Sequence, residues 1–164
     1  MPGGMSLEGL TVEDCVADGV MVDCSQEASK DNQYLVPLQK LLDWEKEHGR
    51  IPDNAAVVFN FDWSKKFVRP KEYTGSKDIG DLFSFKFPAV SEEAGMWLRE
   101  ERNIKMIATD TLTPDPLAGY KKQPIHMKYL KEKRLILENL KATSRQIIRP
   151  DPARPDSIRN GHPV

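Results

Sequence analysis

Three of the 164 residues are histidine, at positions 48, 126 and 162. His126 is the one best placed for chemistry. It lies twelve residues before Glu138, and Glu138 closes the apolar run Leu135-Ile136-Leu137. A carboxylate at the end of such a run either reaches solvent or has a partner, because a buried unpaired charge is costly. An imidazole and a carboxylate brought to one spot are half of a divalent-metal site. The other reading is a surface histidine and a strand-end glutamate that never meet.

A second group follows the apolar run Ile104 to Ala108. It reads Thr109-Asp110-Thr111-Leu112-Thr113-Pro114-Asp115-Pro116. Asp110 either orients a ligand or metal, or bonds the backbone of its own loop. Asp115 has the same first reading, with an ordinary turn between two prolines as the alternative. Trp63 precedes Ser64-Lys65-Lys66 at another strand end. It could line a pocket there together with Asp110. Trp44 and Trp97 read as core packing. No GxGxxG, Walker A or GxSxG motif is present.

The elements that must position these residues follow from patterning. Val20 to Cys24 and Ala55 to Phe61 read as buried strands, as do Ile104 to Ala108 and Leu135 to Leu137. Residues 34 to 48 carry a helical apolar stripe of Leu35, Leu38, Leu41, Leu42 and Trp44. Pro37 belongs to the first turn of that helix and Gly49 supplies its stop. Gln26 to Gln33 reads as a polar connection. Ser91 is a good N-cap, and Glu92 and Glu93 suit the positive end of the helix it opens. A short helix is expected near 126 to 132. Residues 62 to 88 form a long connection whose six aromatic residues imply that it packs over something. Strands alternating with helices predict an α/β fold, a mixed sheet with packed helices. Sites in such folds collect at the carboxyl ends of strands. Residues 1 to 19 read as a loosely held lead-in. Residues 142 to 164 hold too few apolar side chains to offset their ordering entropy and read as a disordered tail.

Composition narrows the function classes. Lys plus Arg number 24 and Asp plus Glu 25, a net charge of -1. That balance argues against nucleic acid as a partner. The cluster Lys128, Lys131, Lys133 and Arg134 is interrupted by Glu132 and reads as a solvated helix face. No apolar run approaches the roughly 18 to 20 residues of a membrane span, and the first residues lack the pattern of a signal peptide. Cys15 and Cys24 form neither a CxxC nor a disulfide framework, which predicts reduced thiols and a cytoplasmic protein.

Five stretches carry a family resemblance. Gly19-Val20-Met21-Val22-Asp23-Cys24-Ser25 resembles a strand written G-x-V-x-D-x-S. Leu41 to Pro52 resembles the helix and turn that follow it. Val57-Val58-Phe59-Asn60-Phe61-Asp62-Trp63-Ser64 is similar to L-x-T-G-W-S, with Phe61-Asp62 where Thr-Gly is usual. Phe87 to Pro116 resembles F-P-G-(L/I)-S-x-E-A, then W-L, then G-x-D-T-x-S-x-D-P. Pro124-Ile125-His126 through Glu138-Asn139-Leu140 resembles P-x-H followed by I-x-E-N-L. Together these resemble the cyclase family of metal-dependent hydrolases, which includes bacterial-type kynurenine formamidase and isatin hydrolase.

The resemblance implies a cyclase-like fold over residues 20 to 141 and hydrolysis of an amide-type bond, as in N-formylkynurenine. It implies a small-molecule substrate, and a divalent metal (zinc or manganese) that His126 and Glu138 help to hold. One departure is large. The family's main metal motif, H-x-G-T-H-x-D-x-P-x-H, lies upstream of the first stretch, and no histidine here precedes His48. The expectation is a domain incomplete at both ends, with weak or absent metal binding and impaired catalysis. The alternative is a non-catalytic relative that acts through homo- or hetero-oligomeric association with a full-length subunit or another partner.

Overall fold

The computed structural model describes residues 6–117 and 122–141. Four strands build its main sheet: β1 (Gly19–Asp23), β3 (Ala56–Asn60), β5 (Met106–Thr109) and β6 (Leu135–Leu137). Their order is β1-β3-β5-β6, and every pairing is parallel. Val22 stands opposite Phe59, Val58 opposite Ala108, and Ile107 opposite Ile136. All four residues of β5 are buried. A continuous apolar run is what a strand covered on both faces of a parallel sheet requires. Two further strands, β2 (Leu35–Val36) and β4 (Ala89–Val90), form a small parallel pair of their own.

Helices α1 (Ser25–Lys30), α2 (Leu38–His48), α3 (Pro70–Thr74), α4 (Glu92–Glu101) and α5 (Pro124–Lys131) complete the α/β architecture. Leu41 of α2, Ala94 and Leu98 of α4, and Ile125 and Tyr129 of α5 enter the same core as Val57, Phe59 and Ile107. α4 packs against both α2 and α5. The Tyr129 hydroxyl donates to the Gly95 carbonyl at 2.7 Å, and a Cβ on Gly95 would sit 2.8 Å from the Ile125 side chain. Ser91 caps α4 as expected, its Oγ accepting the Ala94 N–H at 3.1 Å. Arg102, just beyond α4, makes a two-pronged ion pair with Glu45 of α2 at 2.6 and 2.8 Å.

Local departures from the sequence pattern have local causes. The helix expected from residue 34 begins at Leu38, because Pro37 is its N-cap in extended conformation. A residue before proline is driven out of the helical region, so Leu35 and Val36 become β2 instead. The stretch read as a polar connection contains α1, a six-residue helix that buries only Ala28. One apolar contact leaves no periodicity to read. Residues 62–88 pack through Trp63, Tyr73, Phe85 and Phe87, which are buried, while Phe67 and Phe83 are exposed. The lead-in is tied to the sheet by Lys105, whose Nζ donates to the Glu13 and Val16 carbonyls at 2.7 and 2.9 Å. The tail expected over 142–164 lies outside the described residues.

Candidate functional site

The loop leaving β5 is the hub of the site. Thr109, Asp110, Thr111, Thr113 and Asp115 are its buried polar residues. Each carboxylate in it is used to hold another chain segment.

Asp110 reaches sideways to the exit of β3. Its Oδ1 accepts the Phe61 N–H at 2.9 Å, and its Oδ2 accepts the Trp63 and Ser64 N–H groups at 2.6 and 3.1 Å. Burial pushes its carboxyl above the ordinary value, against the pull of these three donors. Trp63 is 2% exposed, and its indole N–H donates to the Tyr73 carbonyl at 2.8 Å. The Lys66 ammonium lies 3.2 Å from the centre of the Trp63 ring. Both residues are therefore framework. The two Asp110 oxygens are taken by backbone, and Trp63 offers almost no surface to a ligand.

Asp115 reaches forward to α5. The N-cap of that helix, Gln123, makes no side-chain cap. Asp115 supplies one from another segment, its two oxygens accepting the Ile125 and His126 N–H groups at 3.1 and 3.0 Å. The same carboxylate lies 2.7 Å from His126 Nδ1. The other ring nitrogen, Nε2, is 3.3 Å from Glu138 Oε1. The structure thus brings His126 and Glu138 together and lines up Asp115, His126 and Glu138. Asp115 is fully buried, whereas the His126 and Glu138 side chains are 20% and 33% exposed. The bond to Asp115 and then that to Glu138 raise the His126 pKa from 6.5 to about 9, overcoming burial, which pulls it down.

This line of three groups has a direction. A histidine that donates one ring N–H to a buried carboxylate keeps its ring orientation and offers the other nitrogen outward. Here Nδ1 faces Asp115, and Nε2 faces the partly exposed Glu138 carboxylate. Nε2 and Glu138 are the donor types that a divalent ion such as zinc takes. Among the described residues, no group of three or more His, Cys, Asp or Glu side chains is arranged to hold a metal ion. The donor pair fits one side of a coordination shell.

Two further residues contribute: Tyr73, which carries no motif, and Asn139, the middle residue of the Glu138-Asn139-Leu140 stretch. Tyr73 of α3 is buried, and its hydroxyl lies 2.7 Å from Asn139 Oδ1 and 3.2 Å from the Asp110 carbonyl. Burial pushes its phenol upward, so it remains a donor near neutral pH. Asn139 follows Glu138 directly. For Asp115 a signal did exist: it is the aspartate of the Asp-Pro pair in the motif 109–116. Its local reading as a turn residue left its partner eleven residues away unseen.

Residues 1–116 match the Cyclase family model. The chain belongs to the Cyclase family. The matched span includes Asp110 and Asp115 and stops before His126 and Glu138. Over 71 residues, 43% of this chain and 27% of the relative, the sequence is 35% identical to the isatin hydrolase of Roseibium aggregatum. Two solved structures share the fold. Isatin hydrolase A from Labrenzia aggregata, bound to benzyl benzoate, superposes with a TM-score of 0.73 at 30% identity, over 82% of this chain and 52% of that one. Isatin hydrolase A from Ralstonia solanacearum gives 0.76 at 29% identity, over 84% and 52%. The chain therefore spans about half the length of these solved relatives. Among the described residues, no helix is long and apolar enough to cross a membrane.

Proposed function

We propose that this cyclase-family chain contributes one side of the metal centre of an amide hydrolase, with His126 Nε2 and Glu138 as the donors. The observation that carries this reading is the alignment of Asp115, His126 and Glu138, at 2.7 Å and 3.3 Å. The substrate is a small molecule with an N-aryl amide or cyclic amide bond, in keeping with relatives named for hydrolysing isatin. N-formylkynurenine, an N-aryl formamide, is the narrower candidate. A bound divalent ion, zinc or manganese, supplies an activated water and polarises the amide carbonyl. The chain's own residues do the rest. Asp115 holds Nδ1–H of His126, and His126 presents Nε2 beside Glu138. His126 Nε2 and Glu138 would hold the ion at that edge, and its binding would compete with the proton on His126.

A catalytic zinc site takes three protein ligands and leaves a position for water. Two donors bind weakly, so turnover requires donors from another segment of the family fold. Those donors come from a segment of the family fold outside this sequence, carried by the same polypeptide or by an associated full-length subunit. The exposed Phe67, Val68, Ile79, Leu82 and Phe83 between β3 and β4 favour such association. The free thiols Cys15 and Cys24 accord with a cytoplasmic setting.

The test is to titrate the purified chain with Mn²⁺ and Zn²⁺, and to assay isatin and N-formylkynurenine, for the natural sequence and His126→Ala. The expected result is weak binding that His126→Ala abolishes, with turnover at background. Equal binding by the two proteins would reject the donor pair. Stoichiometric metal with turnover that His126→Ala removes would reject the half-site and show a complete enzyme.

A further inference from the structure

We infer that Tyr73 is a positioning residue for Glu138, acting through the side chain of Asn139. The inference rests on the reading of Glu138 as a metal donor. Glu138 leaves the end of β6 with one described side-chain partner, His126, and its own side chain is 33% exposed. Beyond that one contact, the direction of the carboxylate depends on the backbone that carries it. That backbone turns sharply, with Asn139 at φ +56°. The left-handed region is costly for most residues, and asparagine is among the few that enter it readily.

Three bonds hold the turn. The Asn139 N–H donates to the Thr111 carbonyl at 3.0 Å, and the Leu140 N–H donates to the Thr109 carbonyl at 3.1 Å. Both use the loop that carries Asp110 and Asp115. The third bond is the only one made by a side chain from a remote part of the sequence. Tyr73, sixty-six residues earlier, donates from its hydroxyl to Asn139 Oδ1 at 2.7 Å. Tyr73 is 5% exposed, and its own carbonyl is held by the Trp63 indole N–H. Trp63 is held in turn through its backbone N–H by Asp110. A chain of bonds therefore runs from the β5 exit through the β3 exit and α3 to the residue next to Glu138. It gives the 62–88 connection a role at the site without any contact with a ligand. Removing the hydroxyl frees the Asn139 amide and loosens the direction of Glu138, while Nδ1 of His126 stays fixed by Asp115.

The test uses the chain with Tyr73→Phe, Asn139→Gly and the double substitution. Asn139→Gly keeps the left-handed backbone and deletes the acceptor. Mn²⁺ affinity is read from paramagnetic broadening of the His126 and Glu138 backbone signals, and amide exchange is followed at Asn139, Leu140 and along α5. Each single substitution is expected to weaken Mn²⁺ binding about tenfold, the usual scale for loss of an outer partner of a metal ligand. The double substitution should be no weaker than either single one. Exchange should quicken at Asn139 and Leu140 and stay unchanged in α5. Unchanged Mn²⁺ affinity in Tyr73→Phe, or losses that multiply in the double variant, would overturn the inference. If the natural sequence fails to bind Mn²⁺, the donor reading falls and exchange decides the positioning role. Acceleration confined to Asn139 and Leu140 upholds it, and unchanged exchange there removes it.

Discussion

Replacing Asp115 by asparagine isolates the contact that distinguishes this site from a surface histidine. The exchange keeps the shape and removes the charge. In metal-free solution, the rise of the His126 pKa from 6.5 to about 9 corresponds to about 3 kcal/mol, at about 1.4 kcal/mol per pH unit. Asp115 and Glu138 share that energy. Asp115 is fully buried and lies 2.7 Å from the ring, while Glu138 is 33% exposed and 3.3 Å away. The larger part, about 2 kcal/mol, therefore belongs to Asp115. The amide oxygen of the substituted side chain would still accept one α5 N–H, so loss of the cap adds about 1 kcal/mol. His126 is raised in the folded state, so its contribution is fully present below its unfolded value of 6.5 and is lost as pH rises through about 9. Asp115→Asn should cost about 3 kcal/mol at pH 6 and about 1 kcal/mol at pH 10. Urea unfolding of both proteins at the two pH values measures this. Imidazole NMR should show His126 titrating about 1 to 2 units lower in the variant, by about the same energy. An equal cost at both pH values, or a His126 that titrates near 6.5 in the natural sequence, would refute the reasoning.

Other perturbations reach the framework. Asp110→Asn keeps one oxygen for the Trp63 and Ser64 N–H groups and turns an amide N–H₂ against the Phe61 N–H, and should cost about 2 kcal/mol in urea unfolding. A loss under about 1 kcal/mol would show that the buried carboxylate is dispensable. Arg102→Met leaves Glu45, whose side chain is 13% exposed, without its charged partner and with the Ile51 N–H still donating to it, and should cost about 3 kcal/mol. Adding Glu45→Gln should recover much of that, because both charges are then gone and an oxygen remains for the Ile51 N–H; equal instability of the single and double variants would contradict this. Gly75 sits at φ +64°, and a Cβ there would lie 1.9 Å from the Lys86 carbonyl oxygen. Gly75→Ala should lower the thermal midpoint sharply and redshift Trp63 emission, since the backbone bond from Lys86 to Thr74 must part. An unchanged melt would mean that the 62–88 connection is not packed as described.

The elements that hold the site were legible where burial is continuous. The run Ile104 to Ala108 reads as a strand because β5 is buried on both faces, and Leu135–Leu137 reads as one from its apolar residues although that strand is half-buried. Ser91 read as a cap because its bond lies within one helical turn. The parts that were not legible depend on groups far apart in the chain. Asp115 looks locally like a turn between prolines, and only the fold sets it under His126. Asp110 and Trp63 looked like pocket residues, because a strand-end carboxylate and a tryptophan have the right chemistry. The structure aims Asp110 at three backbone N–H groups, and that choice is made by the neighbouring strand exit. Tyr73 carries no motif and matters only for where its hydroxyl lands.

By itself, then, the sequence determined the alternation of strands and helices, the family resemblance, and the candidate pair His126 and Glu138. These are properties of local pattern and residue type. The tertiary structure alone decided that the pair meets, that Asp115 stands behind it, and that Asp110 and Trp63 serve as framework. A hydrogen bond reports distance in space, and parallel strands joined by long crossovers bring residues together that the sequence separates by tens of positions.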